Sequence, residues 1–403
     1  MTVFAAQHSI IDRHPWLARI ACLLLGAITP LSFAPYNEWF TCLISLALFA
    51  AILGKASSGK HYFLLALAFG LGYFGTGVSW VYVSIYHFGS APLPLAVLLT
   101  VLFVSFVATF FALPFYALTW LTPSLRMLIG IPLLWVLSEW IRTWIFTGFP
   151  WLFIGYAHTD TLLAHWAPIG GVLILSLYSV FSSCTLAAIF CRQLSLHQAL
   201  LALVCVAGIW GSSWQLQNIE WTQAIDDNIS VGMVQPNIPQ HLRWSPEYQT
   251  IIPERLHTLS EPLWGKDWII WPEGALHNVY HLSLDFIEAT QQRALQHDST
   301  VISGVIYDQP THNDAERQKY FNSIISMGSN NDENIYHKQR LVPFGEYVPL
   351  EDWIRGLITF FDLPFSVISS GTAAQAPLTL GNYLLANAIC YEIAYPTLVA
   401  TQA

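Results

Sequence analysis

The chain has 403 residues, 54% of them hydrophobic and 10% charged, with a net charge of −9 when histidine is neutral. That balance excludes an ordinary soluble globule, because most of the apolar excess must face lipid. The charge is also uneven: Asp12, Glu38, Glu139 and Asp160 are the only acids up to residue 216, while residues 217–403 hold 21 acids against 9 Lys and Arg, which excludes docking to nucleic acid or anionic lipid through a basic patch.

Seven apolar stretches are long enough to be read as bilayer crossings, each of which takes roughly 20 residues of helix. They are placed near 16–35, 39–54, 62–85, 92–119, 127–145, 167–190 and 198–215. The first lacks a small-residue cleavage site nearby and a second span follows quickly, so it reads as a retained anchor and not as a removed leader. Arg13, Arg19, Lys55, Lys60, Arg126 and Arg192 mark alternate loops, whereas the loops near 36–38, 86–91 and 146–166 contain no Lys or Arg. Cytoplasmic loops retain basic residues, which predicts a cytoplasmic N-terminus and seven crossings that deliver everything after Trp214 to the outer, periplasmic side.

Three features of this half are open to other readings. Gly70, Gly72 and Gly75 fit GxGxxG, but they lie inside an apolar span with no acidic residue about 20 positions on, so close helix packing is the better account. Glu139 and Arg142 are three apart and share a helix face, as a structural ion pair or as a lipid-headgroup contact. Thr147 to Trp151 reads as a turn with an interfacial aromatic anchor, and Trp80, Tyr82 and Tyr86 as a similar belt.

Beyond Ile229 the pattern changes to short β-rich runs separated by helical stretches, which predicts a layered α/β domain. Expected strands are Ile229–Val234, Trp268–Trp271, Val301–Tyr307, Tyr320–Met327 and Leu384–Ile389. Expected helices start with Ser245-Pro246 as N-cap and first turn, run from Ser283 to about His297, and cover Pro349–Phe361. The domain expectation is a transmembrane unit over 1–216 and an outer domain over 217–403.

Cys22, Cys42, Cys184, Cys191 and Cys205 lie in or beside the spans, where a small apolar role suffices. Cys390 is the one thiol of the outer domain, and a single unpaired cysteine in an oxidising compartment points to chemistry. Three reactive residues follow strand ends, where α/β proteins place their chemistry: Glu273, Lys338 and Cys390. A carboxylate that takes a thiol proton, an ammonium that stabilises an oxyanion and an attacking thiolate suffice for acyl transfer. Taken singly, each also fits a plain surface or core role. His277 and His281 are four apart but fall in a loop, and no HExxH or paired Cys/His spacing occurs, so neither a metal nor another cofactor is expected.

Trp271-Pro272-Glu273, the run from His337-Lys338-Gln339-Arg340 through Pro343-Phe344-Gly345-Glu346-Tyr347 to Pro349, and Ile389-Cys390-Tyr391-Glu392 resemble the ordered motifs of the nitrilase superfamily. With Ser32 to Pro35, Gly77 to Trp80 and Glu139 to Trp151 in the membrane half, the chain resembles apolipoprotein N-acyltransferases from end to end. The resemblance implies a multi-span helical membrane domain followed by an α/β nitrilase-like αββα sandwich. It implies that Cys390 takes an acyl chain from a phospholipid, phosphatidylethanolamine in the typical case, and passes it to the α-amine of the lipidated N-terminal cysteine of an apolipoprotein. Glu273 would be base and then acid, Lys338 the oxyanion stabiliser, and Glu346 a support of the triad. Tyr391 and Glu392 would flank the nucleophile, Trp244 would line the substrate entrance, and Asn322 is carried over as a further site amide whose alternative is a plain strand-end role. A monomer in the bacterial inner membrane, in contact with its lipid and with no nucleic-acid partner, is expected.

Family members continue past the cysteine motif with more sheet, a loop over the site and a last transmembrane helix, whereas this chain stops at Thr401-Gln402-Ala403, so a sheet incomplete at its C-terminus is expected. Two alternatives follow: a truncated, inactive or split lipid-binding remnant, and a membrane-tethered nitrilase-type amidase.

Overall fold

The computed structural model describes residues 14–89, 91–224, 228–239, 242–243, 245–276, 278–310, 318–328, 334–343, 345–347 and 368–402. The expected helix over Pro349–Phe361, His277 and Trp244 lie outside the described residues. The chain divides into two compact units, Met1–Gln223 and Ala224–Ala403.

The first unit is helical. Its main helices are α1 (Pro15–Ile28), α2 (Phe40–Leu53), α3 (Gly59–Gly77), α4 (Leu93–Ala112), α5 (Ile131–Ile141), α6 (Ala167–Phe190) and α7 (Leu196–Leu216). Each of the seven apolar stretches is thus helical, but they are not seven equal spans. Five helical segments are long and apolar enough to cross a membrane: Pro15–Ser32, Leu93–Trp120, Pro123–Ile141, Leu162–Phe190 and Leu196–Leu216. A sixth, Gly59–Gly77 continued by Val81–His87, bends by 56° at the break. α2 has 14 residues, about 21 Å of helix against a hydrocarbon core of about 30 Å.

α1 and α3 approach backbone to backbone. A Cβ built on Gly26 would stand 2.0 Å from the carbonyl oxygen of Phe69, and one on Gly72 would stand 1.9 Å from that of Leu23. Gly72 is therefore a packing glycine of the kind small residues supply between membrane helices. Around this contact Phe49, Phe69, Phe111 and Trp135 form a buried aromatic cluster, with ring centroids 4.3 Å apart for Phe49–Phe69 and 4.9 Å for Phe111–Trp135. Large apolar residues on the opposite faces stay exposed, among them Leu98, Val101 and Leu102 on α4 and Leu200, Leu201 and Val204 on α7. Such a surface is stable only against lipid, and the protein is a multi-pass membrane protein.

Glu139 and Arg142 are both buried, and the structure gives them a different role from either expected one. Glu139 Oε1 accepts from Trp135 Nε1 and from the amide of Ile154, each at 2.8 Å. Arg142 Nη1 donates to the carbonyl of Trp151 at 2.7 Å. No ion pair within 4.0 Å joins the two among the described residues. They fasten the turn between α5 and α6 from beneath, where bare backbone groups would otherwise be orphaned in a water-poor interior.

The second unit carries a five-stranded sheet in the order β1 (Val231–Met233), β2 (Trp268–Ile270), β3 (Thr300–Gln309), β4 (Lys319–Met327), β5 (Ile335–His337). β1, β2 and β3 run parallel, and β4 and β5 continue antiparallel. The parallel pairs require crossovers, supplied by α8 (Tyr248–Ser260) and α9 (Leu284–Gln296). These helices bury Ile252, Leu256, Ile287 and Ala294 with Ile269, Val301, Val305 and Ile325 of the sheet. A hairpin of β6 (Leu378–Leu380) and β7 (Tyr383–Leu385) forms a second, two-stranded sheet whose Leu378 packs with Tyr336 of β5, and α10 (Pro396–Gln402) follows.

Three expectations need correction. Ser245-Pro246 does not open α8: the serine hydroxyl donates to the carbonyl of Leu242, the pair forms a preceding turn, and the helix starts at Tyr248. Leu384–Ile389 is not one strand, because β7 ends at Leu385. Beyond it the amides of Asn387 and Ile389 donate to the side chains of Gln402 and Glu392 in place of a ladder. His281 is not in an open loop. It lies in a short 3-10 turn, Tyr280–Ser283, with its Nδ1 hydrogen-bonded to the buried carboxylate of Asp308.

Candidate active site

β2 is only three residues long, and the chain leaving it continues beside β3 in broken register. Trp271 donates to the carbonyl of Ile302, Gly304 donates to that of Pro272, and Leu276 donates to that of Gly304. Pro272 has no N–H to continue a ladder. The backbone therefore bulges over Gly304, and Glu273 stands at the crest with its side chain 42% exposed. A Cβ on Gly304 would meet the Gly274 nitrogen at 2.2 Å and the Glu273 Cα at 2.8 Å. The absence of a side chain in mid-strand is what lets Glu273 lie there.

Lys338 follows β5. Its amide donates to the carbonyl of Asn322, which extends the β4–β5 pairing by one step and turns the side chain into the domain. There it is 1% exposed, with Nζ 3.0 Å from Glu346 Oε1 and 3.8 Å from Glu273 Oε1. Pairing with two carboxylates is what offsets the cost of burying such a side chain. Asn322, on β4, donates from Nδ2 to Glu273 Oε1 at 2.7 Å and to Glu346 Oε1 at 2.9 Å. The reversed amide would set its oxygen against both carboxylates, so the network dictates its orientation. Glu346 Oε2 accepts from the amide of Val342 at 2.8 Å.

Cys390 opens a 3-10 turn, Cys390–Ala394, with φ of +54°. The left-handed region is unfavourable for a residue with a Cβ, and strain of this kind is common at reactive positions. Glu392 holds the turn. Its carboxylate is fully buried and accepts from four groups: Gln339 N at 2.7 Å, Arg340 N at 3.0 Å, Ile389 N at 2.9 Å and Tyr336 Oη at 3.1 Å. One side chain thus ties the segment after Lys338 to the segment before Cys390. The hydroxyl of Tyr395 donates to that of Tyr391, the residue after Cys390, at 2.6 Å.

Burial pushes the Cys390 thiol above its ordinary value, and the charge of Glu273 pushes it further; the ammonium of Lys338 and the amide of Tyr391 act against both. Both effects favour the protonated thiol, and Glu273 is a carboxylate close enough to influence it. Glu273→Gln removes a charge that disfavours thiolate. It should therefore speed alkylation of Cys390 by iodoacetamide at pH 8 about two- to tenfold, read from the modified peptide by mass. An unchanged rate would show that the two groups are not coupled, and a slower one that the Glu273 charge does not disfavour the thiolate.

The structure thus brings Glu273, Lys338, Cys390, Asn322, Glu346, Tyr391 and Glu392 into one unit, while Trp244 lies outside the described residues. Two contributors escaped the sequence reading. Gly304 sits inside Val301 to Ile306, and a glycine within a strand run signals close backbone approach. Tyr336, buried and bonded to Glu392, carries no signal beyond strand alternation.

Residues 25–185 match the family described as Apolipoprotein N-acyltransferase N-terminal domain, and residues 231–403 match Carbon-nitrogen hydrolase. The chain is 37% identical over 404 residues to the Apolipoprotein N-acyltransferase of Pseudomonas aeruginosa strain LESB58, covering 98% of this chain and 77% of that protein. Those of Coxiella burnetii, 36% identical over 388 residues, and Vibrio parahaemolyticus, 33% over 391 residues, align over 94% and 93% of this chain and over 77% and 74% of their own lengths. Helical membrane unit, carbon-nitrogen hydrolase unit and near-complete alignment of the chain agree: it belongs to the apolipoprotein N-acyltransferase family.

Proposed function

We propose that the protein transfers a fatty acyl chain from a phospholipid to the α-amine of the S-diacylglyceryl cysteine at the N-terminus of apolipoproteins, with Glu273, Lys338 and Cys390 as its catalytic residues. The observation that carries the reading is the buried Lys338 ammonium, set between Glu273 and Glu346 and coupled electrostatically to the strained Cys390. Family membership supplies the reaction class.

In the first step Glu273 takes the thiol proton and the Cys390 thiolate attacks the ester carbonyl of the donor. Lys338 stabilises the oxyanion. Collapse breaks the acyl C–O bond, Glu273 returns its proton to the departing alkoxide, and a lysophospholipid leaves a thioester behind. In the second step the unprotonated amine of the acceptor attacks that thioester. Its proton passes through Glu273 to the released thiolate, so one ester is consumed and one amide formed with no further reactant.

Phosphatidylethanolamine is the proposed donor, and a monomer in the bacterial inner membrane the proposed state. Seven crossings with a cytoplasmic N-terminus would set the catalytic unit, residues 217–403, on the periplasmic side. Both substrates carry acyl chains that cost about 0.8 kcal/mol per CH₂ to expose to water. A site tethered to the bilayer avoids that exposure. Asn322 and Glu346 would orient Glu273 and Lys338, Glu392 and Tyr391 would shape the turn of the nucleophile, and Trp244 would line the entrance.

Incubating the purified chain with acyl-labelled phosphatidylethanolamine should leave a hydroxylamine-labile label on Cys390, which chases to a lipidated cysteinyl peptide. Cys390→Ala should take up none. Equal labelling of that variant, or release of ammonia from small amides with no lipid label, would overturn the proposal.

A further inference from the structure

The membrane unit carries a groove of about 280 Å³ between α5, α6 and α7. Pro132 and Leu133 on α5, Leu177 and Phe181 on α6, and Cys205 and Ile209 on α7 line it. All six lie within Pro123–Ile141, Leu162–Phe190 and Leu196–Leu216, segments long and apolar enough to cross a membrane, so the groove is at bilayer depth. Its rims at Leu133 and Cys205 are exposed, and Cys205 shares a helix stripe with the lipid-facing Leu201, so the groove is continuous with the surface that meets lipid. Its walls are fixed: Trp210 Nε1 donates to Ser182 Oγ and Trp166 Nε1 to the Ile209 carbonyl, each at 3.2 Å, which holds α7 to α6. An apolar cavity of about 150 Å³ already takes up benzene, and unfilled walls forfeit van der Waals contact, so a groove of this size open to lipid fills with methylene groups.

Every membrane lipid brings methylenes, and the polar end of the groove selects among them. The lining continues through Leu128 and Ile129 in a π turn, Arg126–Gly130, that leads into α5. Just before it, Ser124 Oγ donates to the Gln193 carbonyl, and Gln193 Nε2 donates to the Gly54 carbonyl, each at 3.5 Å. The chain entering α5, the α6–α7 turn and the end of α2 therefore meet at one corner, which carries Arg126, Arg192 and Lys55. Arg126 is engaged with the carbonyls of Leu118 and Leu121. Arg192 and Lys55 are exposed, and neither joins an ion pair within 4.0 Å among the described residues. The described acids of the unit stand at the opposite helix ends: Glu38 before α2, Glu139 near the end of α5, Asp160 before α6 and Glu220 after α7. The corner is therefore cationic, and a basic site between membrane helices attracts anionic headgroups.

We propose that this groove is a site for one anionic phospholipid, with an acyl chain laid along Leu133, Phe181 and Cys205 and its phosphate at Arg192. The lipid is a structural partner and not the acyl donor. α7 starts beside Arg192 and hands the chain on only after Leu216, about 31 Å of helix away, so the headgroup lies at the end of this unit far from the link to residues 224–403.

The test strips the full chain of lipid in detergent, titrates it with dioleoyl phosphatidylglycerol or dioleoyl phosphatidylcholine, and follows what stays bound by native mass spectrometry. One phosphatidylglycerol per chain should survive the activation that removes phosphatidylcholine. Arg192→Gln should cut retention of phosphatidylglycerol about fivefold and leave that of phosphatidylcholine as it is. Cys205→Trp, which fills the groove from its exposed rim, should lower the retained fraction about fivefold or more. Leu98→Trp, on the exposed face of α4, should leave it unchanged. If Cys205→Trp loses its melting transition, Arg192→Gln carries the test. Equal retention of the two lipids would reduce the groove to ordinary lipid-facing surface. Retention of phosphatidylglycerol that neither groove variant alters would place the site elsewhere, and a dimer that Cys205→Trp dissociates would give the groove to a second copy of the chain. Each of these overturns the proposal.

Discussion

Replacing Gly304 by alanine should cut acyl transfer about a hundredfold while leaving Cys390 open to alkylation. The added methyl would sit 2.2 Å from the nitrogen of Gly274 and 2.8 Å from two backbone atoms of Glu273. These are main-chain neighbours, so no rotamer change relieves the overlap, and the bulge carrying Glu273 must move. A displacement of about 1 Å at a general base is enough for a loss of that order. Lys338 and the turn of Cys390 are held by other contacts, through Asn322, Glu346 and Glu392. Thioester formation and iodoacetamide labelling, measured on one preparation, separate the two outcomes: a variant with near-normal transfer would show that Glu273 does not depend on its seat over β3.

Lys338→Met should abolish transfer and also destabilise the protein. The methionine fills much of the lysine's volume, so packing is largely kept, but the Glu346 carboxylate, side chain 15% exposed, is left without its cation. Removing one partner of a buried ion pair typically costs about 3–5 kcal/mol. Loss of the oxyanion stabiliser alone should lower the rate by about 10² to 10³. The double variant Lys338→Met, Glu346→Gln removes the stranded charge. It should recover much of the melting temperature and none of the transfer. Recovery of both would show that Lys338 is structural and that another group stabilises the oxyanion.

How far the sequence reveals this site can be judged residue by residue. Glu273 and Lys338 were legible as residues after strand ends because β2 and β5 are short apolar runs whose ends are marked by proline or by a charged residue; Cys390 was legible as the one thiol of its domain, whereas the strand expected to end at it stops at Leu385. The network around them was not. Asn322 reads as an ordinary strand residue until β4 is registered against β5, which alone places its amide between two carboxylates. Gly304 carried a readable signal, a glycine where a strand wants a side chain. Its meaning depends on the Glu273 bulge, which pairs with β3 only through irregular hydrogen bonds. The expected strand up to Ile389 failed for a related reason: apolar content fits a strand, but side chains from Gln402 and Glu392 had taken the amides a ladder needs. In the membrane unit, hydropathy located the seven main helices among the described residues and missed the 56° bend beyond Gly77 and the shortness of α2, since periodicity and composition do not report length in space.

Glu392 has a consequence for how reactivity appears during synthesis. Its carboxylate accepts from amides on two segments about 50 residues apart in the chain, so neither segment is complete without the other. Until residues 389–392 dock, the amides of Gln339 and Arg340 and the hydroxyl of Tyr336 have lost their acceptor, and Cys390 has nothing to hold its left-handed backbone. If Cys390 and Lys338 are the nucleophile and the oxyanion cation as proposed, this shared carboxylate makes the placement of one depend on the placement of the other.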